Sequence, residues 1–365
     1  MKQLVILLAI LVLLPAPFAL ADDVFDEQAG AAGVRGVEDA LPPEAGEILG
    51  DMKVTDALDA QGAISRLVEG IGAKLRGIVV SALKNAAIIV MAAMLSGIFA
   101  AAFPEKSGNY ARLAGVLAIS TVSVASVNTF IGMGAAVLDD LSVFSKMLLP
   151  CLTAAAAASG AITSAAAKYA ATMLFMDIMM SVMKAVIMPL IYAFAAASIA
   201  EATVGGDALA GVTSLIKWLA KTALSIIVVV FIVYISLTGV IAGASDAAAL
   251  RAAKVAISTA LPVVGTILAD AAGTVLSGAA MLKGAVGVFG VLVVAATCVI
   301  PVLKLGVNYL LFKVAAGLSG AVADKSVTKL LDGFASAFGL ALGMTGVAAI
   351  MLFVSIVSMI KTVVV

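Results

Sequence analysis

Residues 261–304 read LPVVGTILADAAGTVLSGAAMLKGAVGVFGVLVVAATCVIPVLK, and this stretch decides the class of fold. It is apolar and long enough for two membrane crossings, yet it contains prolines, repeated glycines and isolated charges. Irregular backbone and lone charges persist inside a bilayer only where protein or a water-filled cavity surrounds them. The stretch therefore indicates a polytopic membrane protein and marks a candidate functional region. The candidate positions within it are Pro262, Gly265, Asp270, Pro301 and Lys304.

The composition of the whole chain supports the same class. Of its 365 residues, 63% are hydrophobic and 12% are charged, and the mean hydropathy is +1.20. A soluble domain is roughly half apolar and a quarter charged. We predict an all-α membrane protein with a signal peptide and six or seven transmembrane helices. A re-entrant or broken-helix element around residues 255–282 is part of this prediction.

The N-terminus has the pattern of a secretory signal over residues 1–21. Lys2 precedes an apolar run at residues 4–14, and Ala19-Leu20-Ala21 fits the small-residue cleavage pattern. The run is too short to span a bilayer core of roughly 30 Å, although an uncleaved anchor is the alternative. In either case the residues that follow are expected to lie outside the cytoplasm.

Residues 22–77 form an acidic segment with twelve Asp or Glu and five Lys or Arg. Its first part is interrupted by glycines and prolines and is predicted to be flexible. From Ile64 to Val79, apolar residues recur at helical spacing. That pattern predicts an amphipathic helix, on the outer membrane face or on a partner, that continues into the first span. Residues 78–365 are predicted to be the helical transmembrane domain.

The charges between the apolar segments bear on the topology. Asp139 and Asp140 are interpreted as an outer loop, and Lys217 and Lys221 fall on the side that the positive-inside rule disfavours. The same rule favours a full crossing by residues 255–282 with an external C-terminus; a re-entrant segment leaves the C-terminus inside. The apolar segments cover residues 78–103, 113–138, 147–167, 169–200, 222–244, 255–282, 284–312 and 334–360. For the Ala-rich segment 147–167 the alternative is a place between other helices, and for residues 255–282 the alternative is re-entry.

Two charged residues stand inside the fourth predicted span. Asp177 and Lys184 are seven residues apart, about 10 Å along a helix, which is too far for a direct contact. Each is therefore expected to face the bundle interior and meet a partner on another span. Pro189 is predicted to kink the helix near Lys184.

Lys304 is the third candidate for a buried polar contact. Pro301 cannot donate a hydrogen bond to the carbonyl of Thr297, which becomes an available acceptor for a nearby cation. Asp270, on the preceding apolar segment, is the second candidate partner of Lys304.

The sequence lacks the residues that several classes of enzyme need for catalysis. Gly317-Leu318-Ser319-Gly320 matches the GxSG pattern of rhomboid-type proteases, but the chain contains no histidine that could activate the serine. No GxGD motif surrounds Asp177 or Asp270, and no nucleotide-binding loop, zinc motif or basic nucleic-acid surface occurs. The sequence predicts no catalytic residue, cofactor or metal site, and no binding of nucleic acid.

A set of short motifs occurs in a fixed order between residues 236 and 332. These are Leu237-Thr238-Gly239, Ala244-Ser245-Asp246, Lys254, Leu261-Pro-Val-Val-Gly265, Asp270, Lys283-Gly-Ala-Val-Gly287, Cys298-Val-Ile-Pro301 and Lys304. In this combination the chain resembles the stage III sporulation protein AE family of endospore-forming bacteria. The resemblance extends from about residue 113 to the C-terminus, and the N-terminal signal and acidic segment fit the same family.

The resemblance implies a non-enzymatic subunit of a secretion-like channel complex between mother cell and forespore, needed for spore development after engulfment. It implies a location in the mother-cell membrane around the forespore, with the acidic segment between the two membranes. The implied partners are the other subunits of the complex, including a separate ATPase and a forespore-side protein, together with membrane lipid. The alternative is a secondary transporter with a midplane path formed by Asp177, Lys184, Asp270 and Lys304.

Overall fold

A computed structural model describes residues 17–102, 105–204, 207–240, 264–320 and 325–360. Within these ranges the regular structure is entirely helical, with no strand. Six stretches of helix are long and apolar enough to cross a membrane. The prediction of an all-α polytopic membrane protein with a six- or seven-helix bundle is thus confirmed.

We number the helices in chain order. The bounds are α1 Pro17–Ala32, α2 Val34–Asp39, α3 Pro43–Leu49, a 3₁₀ turn Val54–Leu58, α4 Ala60–Ala102, α5 Glu105–Ala158, α6 Ile162–Val182, a π-helical turn Met183–Ile187, α7 Met188–Val204, α8 Asp207–Val240, α9 Val264–Ser319 and α10 Lys325–Ile360.

Helices α9 and α10 form the centre of the bundle and pack along each other. Phe312 of α9 makes edge-to-face contacts with Phe334 and Phe338 of α10, and Phe338 also contacts Phe130 of α5. Helices α4 and α8 lie at the periphery and leave about half of their apolar side chains exposed. Lipid tails solvate such side chains, so an apolar outer surface is the pattern of a membrane bundle.

Two long-range contacts fix the relative direction of the helices. At one end of the bundle, Lys329 near the start of α10 forms an ion pair with Glu201 near the end of α7. At the other end, Lys168 near the start of α6 donates a hydrogen bond to the carbonyl of Ser358 near the end of α10. The combined α6–α7 helix is therefore antiparallel to α10.

Two predicted interruptions are absent from the described helices. Helix α5 continues through Asp139 and Asp140, so the predicted outer loop there is wrong. The predicted span 113–138 and the first part of the span 147–167 belong to α5, and the latter span is broken at residues 159–161, after which α6 begins. Helix α9 continues from Val264 past Lys283, so residues 264–282 are part of the same long helix as residues 284–312. Residues 255–263 lie outside the described residues.

The turn before Pro189 is a π-helix, Met183–Ile187, which includes Lys184. Proline has no N–H to bond the carbonyl four residues earlier, and a wider turn is one way for a helix to accommodate that loss. The helix distortion predicted near Lys184 thus takes this form. The methionines around it pack inward: Met176, Met180, Met183 and Met188 are buried.

The first part of the acidic segment is ordered, in contrast to the predicted flexibility. Helix α3 and the 3₁₀ turn pack against α9, and helix α2 packs against α5, through side chains that are almost fully buried. Two features of the sequence are consistent with this ordered structure: Pro43 at the first position of α3, and small apolar residues between the charged ones. The buried side chains include Val37, Ala45, Leu49, Met52, Val54 and Ala57.

The amphipathic segment from Ile64 onward continues without a break into the first membrane span as helix α4, which agrees with the prediction. The predicted signal peptide is described only from Pro17, and residues 1–16 lie outside the described residues. Helix α1 begins at Pro17 and runs across the predicted cleavage pattern at Ala19–Ala21.

Candidate functional site: polar clusters within the helix bundle

The structure places Asp177 and Lys184 beside charged residues of α5. The Asp177 carboxylate lies 3.2 Å from the Lys146 ammonium group, and Lys184 forms an ion pair with Asp139. Both residues thus meet a partner on another helix, as the seven-residue spacing indicated. The side chains of Asp177 and Asp139 are more than half exposed, so these pairs lie on the outer surface of α5 and α6 rather than inside the bundle.

Lys304 belongs to a second polar cluster, between α3, α4 and α9. It lines a cavity of about 410 Å³ together with Glu47, Lys74, Asn85 and Asn308. The amide of Asn308 donates a 2.8 Å hydrogen bond to the Lys304 carbonyl, which fixes the asparagine within the helix. Lys304 therefore faces the acidic N-terminal segment.

Asp270 is not the partner of Lys304. Both residues are in the continuous helix α9, and 34 residues of α-helix separate their backbones by roughly 51 Å. Gly265 is near the start of the same helix, and Pro262 lies outside the described residues. Pro301 is buried inside α9, where the helix continues past it.

The predicted polar residues therefore do not form one path in the structure. Asp177 and Lys184 pair with α5, Lys304 faces Glu47 and Lys74, and Asp270 is far along α9 from Lys304. A midplane transport path needs such groups to line one cavity, and the described helices keep them apart.

The acidic N-terminal segment is attached to the bundle by polar contacts at several points. Glu47 of α3 forms an ion pair with Lys74 of α4, and the Gln28 amide donates a 3.0 Å hydrogen bond to the Val275 carbonyl of α9. The hydrogen bond and charge of Lys74 lower the pKa of Glu47.

A third cluster of charges was not predicted from the sequence. It lies where the end of α7, the first half of α8, the end of α9 and the start of α10 meet. A cavity of about 550 Å³ is present there. Its charged lining residues are Glu201, Lys217, Lys313, Lys329 and Asp332.

Most charges in this cluster are compensated within it. Lys329 lies 3.3 Å from Glu201, and Lys313 forms an ion pair with Asp332. Lys217 donates a 2.7 Å hydrogen bond to Ser336 Oγ and lies 5.6 Å from the centre of the Phe194 ring, a cation–π distance. The cluster therefore joins four helices at one end of the bundle.

Lys217 lies at the same end of the bundle as Lys313 and Lys329, contrary to the sequence-based topology. The error came from treating Asp139–Asp140 as a loop, which added one crossing ahead of α8. The sequence signal for the cluster was the i, i+4 spacing of Lys217 and Lys221 around the single tryptophan of the chain. Positive residues and tryptophan both concentrate at membrane–water interfaces.

Among the described residues there is no group of histidine, cysteine, aspartate or glutamate that could hold a metal ion. Cys151 and Cys298 are both free and buried.

The comparison with protein families matches residues 45–363 to the model for stage III sporulation protein AE. The chain belongs to the stage III sporulation protein AE family. The matched range begins within α3 and includes every membrane-spanning helix from α4 to α10. All three polar clusters thus lie within the part of the chain that the family shares.

One relative in this family is the stage III sporulation protein AE of Bacillus subtilis (strain 168). It is 26% identical over 241 residues, which are 66% of this chain and 59% of the relative. The alignment therefore covers less than two thirds of the relative's length. No solved structure matches the chain.

Proposed function

We propose that this chain is a non-enzymatic membrane subunit of the channel complex that links mother cell and forespore. The observation that carries the proposal is the family match over residues 45–363, which contains all six of the described helices that are long and apolar enough to cross a membrane. The name of the B. subtilis relative assigns it to stage III of sporulation. The absence of histidine from the whole sequence supports a role without acid–base catalysis by imidazole.

The subunit acts in the mother-cell membrane around the engulfed forespore. Residues 1–21 serve as the signal peptide that directs the acidic segment, residues 22–77, out of the cytoplasm. Residues 78–365 form the transmembrane domain. The continuity of the amphipathic segment with the first span in α4 supports this division, because it brings the acidic segment directly to the membrane surface.

The partners are the other subunits of the secretion-like complex. A separate ATPase supplies the energy, because this sequence has no P-loop or other nucleotide-binding motif. A forespore-side protein contacts the acidic segment in the space between the two membranes. Exposed charged residues such as Glu69 and Arg76 on the first half of α4 are available for that contact.

Deletion of the coding sequence in the parent organism tests the proposal. Expression is expected only during spore formation, and the deletion is expected to stop development after engulfment while vegetative growth is unaffected. Complementation with the intact chain must restore spore yield. A growth-phase transport defect would instead support the alternative, a secondary transporter.

Site-specific photocrosslinking in sporulating cells identifies the partners. A crosslinker placed at Glu69 or Arg76, both exposed, is expected to capture another subunit of the complex. The matched control is the same crosslinker at Ala57, which is 2% exposed and packs within the chain. Equal capture from Ala57 and from the exposed positions would contradict the proposed contact surface.

A further inference from the structure

Helices α8, α9 and α10 enclose a groove of about 520 Å³ whose two ends differ in polarity. Three lysines, Lys217, Lys221 and Lys313, line one end, and no carboxylate is among the lining residues. Ser336 is at the lysine end, where it accepts a hydrogen bond from Lys217, and the hydroxyl-bearing side chains Ser225 and Tyr309 also line the groove. The apolar end is lined by Leu224, Leu340 and Leu342.

The groove carries an excess of positive charge. Lys313 is neutralised by its ion pair with Asp332 on α10. Lys217 has Ser336 as its hydrogen-bond acceptor, and in the part of the chain that the structure describes neither Lys217 nor Lys221 forms a salt bridge. Two like charges one helical turn apart repel each other, so an anion between them is favoured.

The lysines lie at the level where lipid headgroups are expected. Residues 222–240 of α8 and residues 333–360 of α10 contain no charged side chain, and Lys217, Lys221 and Asp332 come directly before these runs. Trp218, the single tryptophan, is 59% exposed between the two lysines. Aromatic and basic residues mark the interface, so the apolar end of the groove points into the hydrocarbon region.

We propose that this groove binds an anionic phospholipid. The ammonium groups of Lys217 and Lys221 contact the phosphate of the headgroup, while Lys313 stays paired with Asp332 at the same end of the groove. An acyl chain follows the groove past Leu224 towards Leu342. Basic pockets between membrane helices bind acidic headgroups in this way, and a zwitterionic headgroup would bring its own cation against the lysines.

Native mass spectrometry of the purified full chain in detergent tests the proposal. The probes are dioleoyl phosphatidylglycerol and dioleoyl phosphatidylcholine, which share acyl chains and differ in net charge. The variants are Lys217→Gln, Lys221→Gln and the double variant. Lys325→Gln is the matched control, since it removes the same charge from an exposed position at the same end of the bundle but outside the groove.

The wild-type chain is expected to retain phosphatidylglycerol in preference to phosphatidylcholine. Each single groove variant should weaken phosphatidylglycerol binding about fivefold and the double variant about 25-fold, whereas Lys325→Gln should change it less than about twofold. Equal binding of the two lipids, or the same loss in the control as in the groove variants, would overturn the proposal.

A third arm separates a lipid from a free anion. Inorganic phosphate shares the lysine contacts but not the acyl-chain contacts, so millimolar phosphate should not displace the lipid; full displacement would assign the site to a small anion and overturn the lipid assignment. Lys221 is exposed, so Lys221→Gln leaves the packing intact and keeps the test decisive if Lys217 variants fold poorly.

Discussion

Gly333 of α10 packs directly against Ser198 of α7: a Cβ built on Gly333 would lie 2.6 Å from the Ser198 Cβ. That distance is well inside van der Waals contact, and the obstructing atom is next to the backbone rather than at the tip of a flexible side chain. The two helices approach this closely only because both positions are small, a common device in membrane bundles. The contact lies beside the four-helix cluster of charges that includes Lys329 and Glu201.

Gly333→Ala is therefore expected to separate α7 from α10 and to destabilise the bundle by about 1–3 kcal/mol. Cys151 and Cys298 are free and buried, so a thiol-reactive fluorophore reports unfolding of the detergent-solubilised protein during heating. The control is Gly346→Ala on the same helix, where an added Cβ meets nothing within 4 Å. An unchanged midpoint for Gly333→Ala would contradict the close approach.

The ion pair between Glu47 and Lys74 makes attachment of the acidic segment dependent on pH. Lys74 lowers the pKa of Glu47, so the pair stabilises the attached state above the ordinary carboxyl pKa of about 4.3. Its contribution is lost as the pH falls through the lowered pKa. Limited proteolysis of residues 22–59 should accelerate in Glu47→Gln at pH 7, and the difference from wild type should shrink only as the pH falls below about 4.3 and through the lowered pKa. Glu69→Gln on an exposed face of α4 is the control.

The pair between Lys184 and Asp139 predicts a charge-reversal result. Asp139→Lys places two cations together and should lower the midpoint of thermal unfolding by a few degrees, since like-charge contacts cost about 1 kcal/mol. Adding Lys184→Asp recreates the pair in the opposite sense and should recover most of the loss. Failure of the second substitution to recover any stability would show that the two side chains are not coupled.

Asp270 and Lys304 remain predicted functional positions. Alanine at either residue is expected to reduce spore yield without removing the protein from the membrane, with membrane immunoblotting as the control for protein level. The physical reason differs between them: Lys304 faces the acidic segment at Glu47, whereas Asp270 is a carboxyl group on an otherwise apolar stretch. Normal sporulation in both variants would remove these residues from the functional site.

The class of fold could be predicted from the sequence because composition alone separates a membrane bundle from a soluble domain. The helix boundaries near Asp139 and Asp140 could not be predicted from the sequence. Two adjacent carboxylates within an apolar run normally mark a loop, since a membrane helix cannot leave them uncompensated. Here Lys184, from a helix distant in sequence, pairs with Asp139. Only the tertiary arrangement supplies this partner.

Only part of the candidate site could be predicted from the sequence, for a related reason. The spacing of Asp177 and Lys184 correctly indicated partners on another helix, because helix geometry rules out a contact between them. Lys217 and Lys313 are almost one hundred residues apart in sequence, and no local pattern joins them. Their proximity depends on α8 beginning at the end of the bundle where α9 finishes, which the misplaced loop had hidden.

The π-helical turn Met183–Ile187 gives the α6–α7 segment one residue more than a regular helix of the same length requires. Each residue of a regular helix rotates the chain by about 100°, so an extra residue elsewhere would turn Lys184 or Ser198 away from its neighbour. Because the wide π-helical turn accommodates the extra residue, the side chains of α6 and of α7 keep their orientations towards their neighbouring helices. Related sequences can therefore gain or lose a single residue at this turn while α6 still faces α5 and α7 still faces α10.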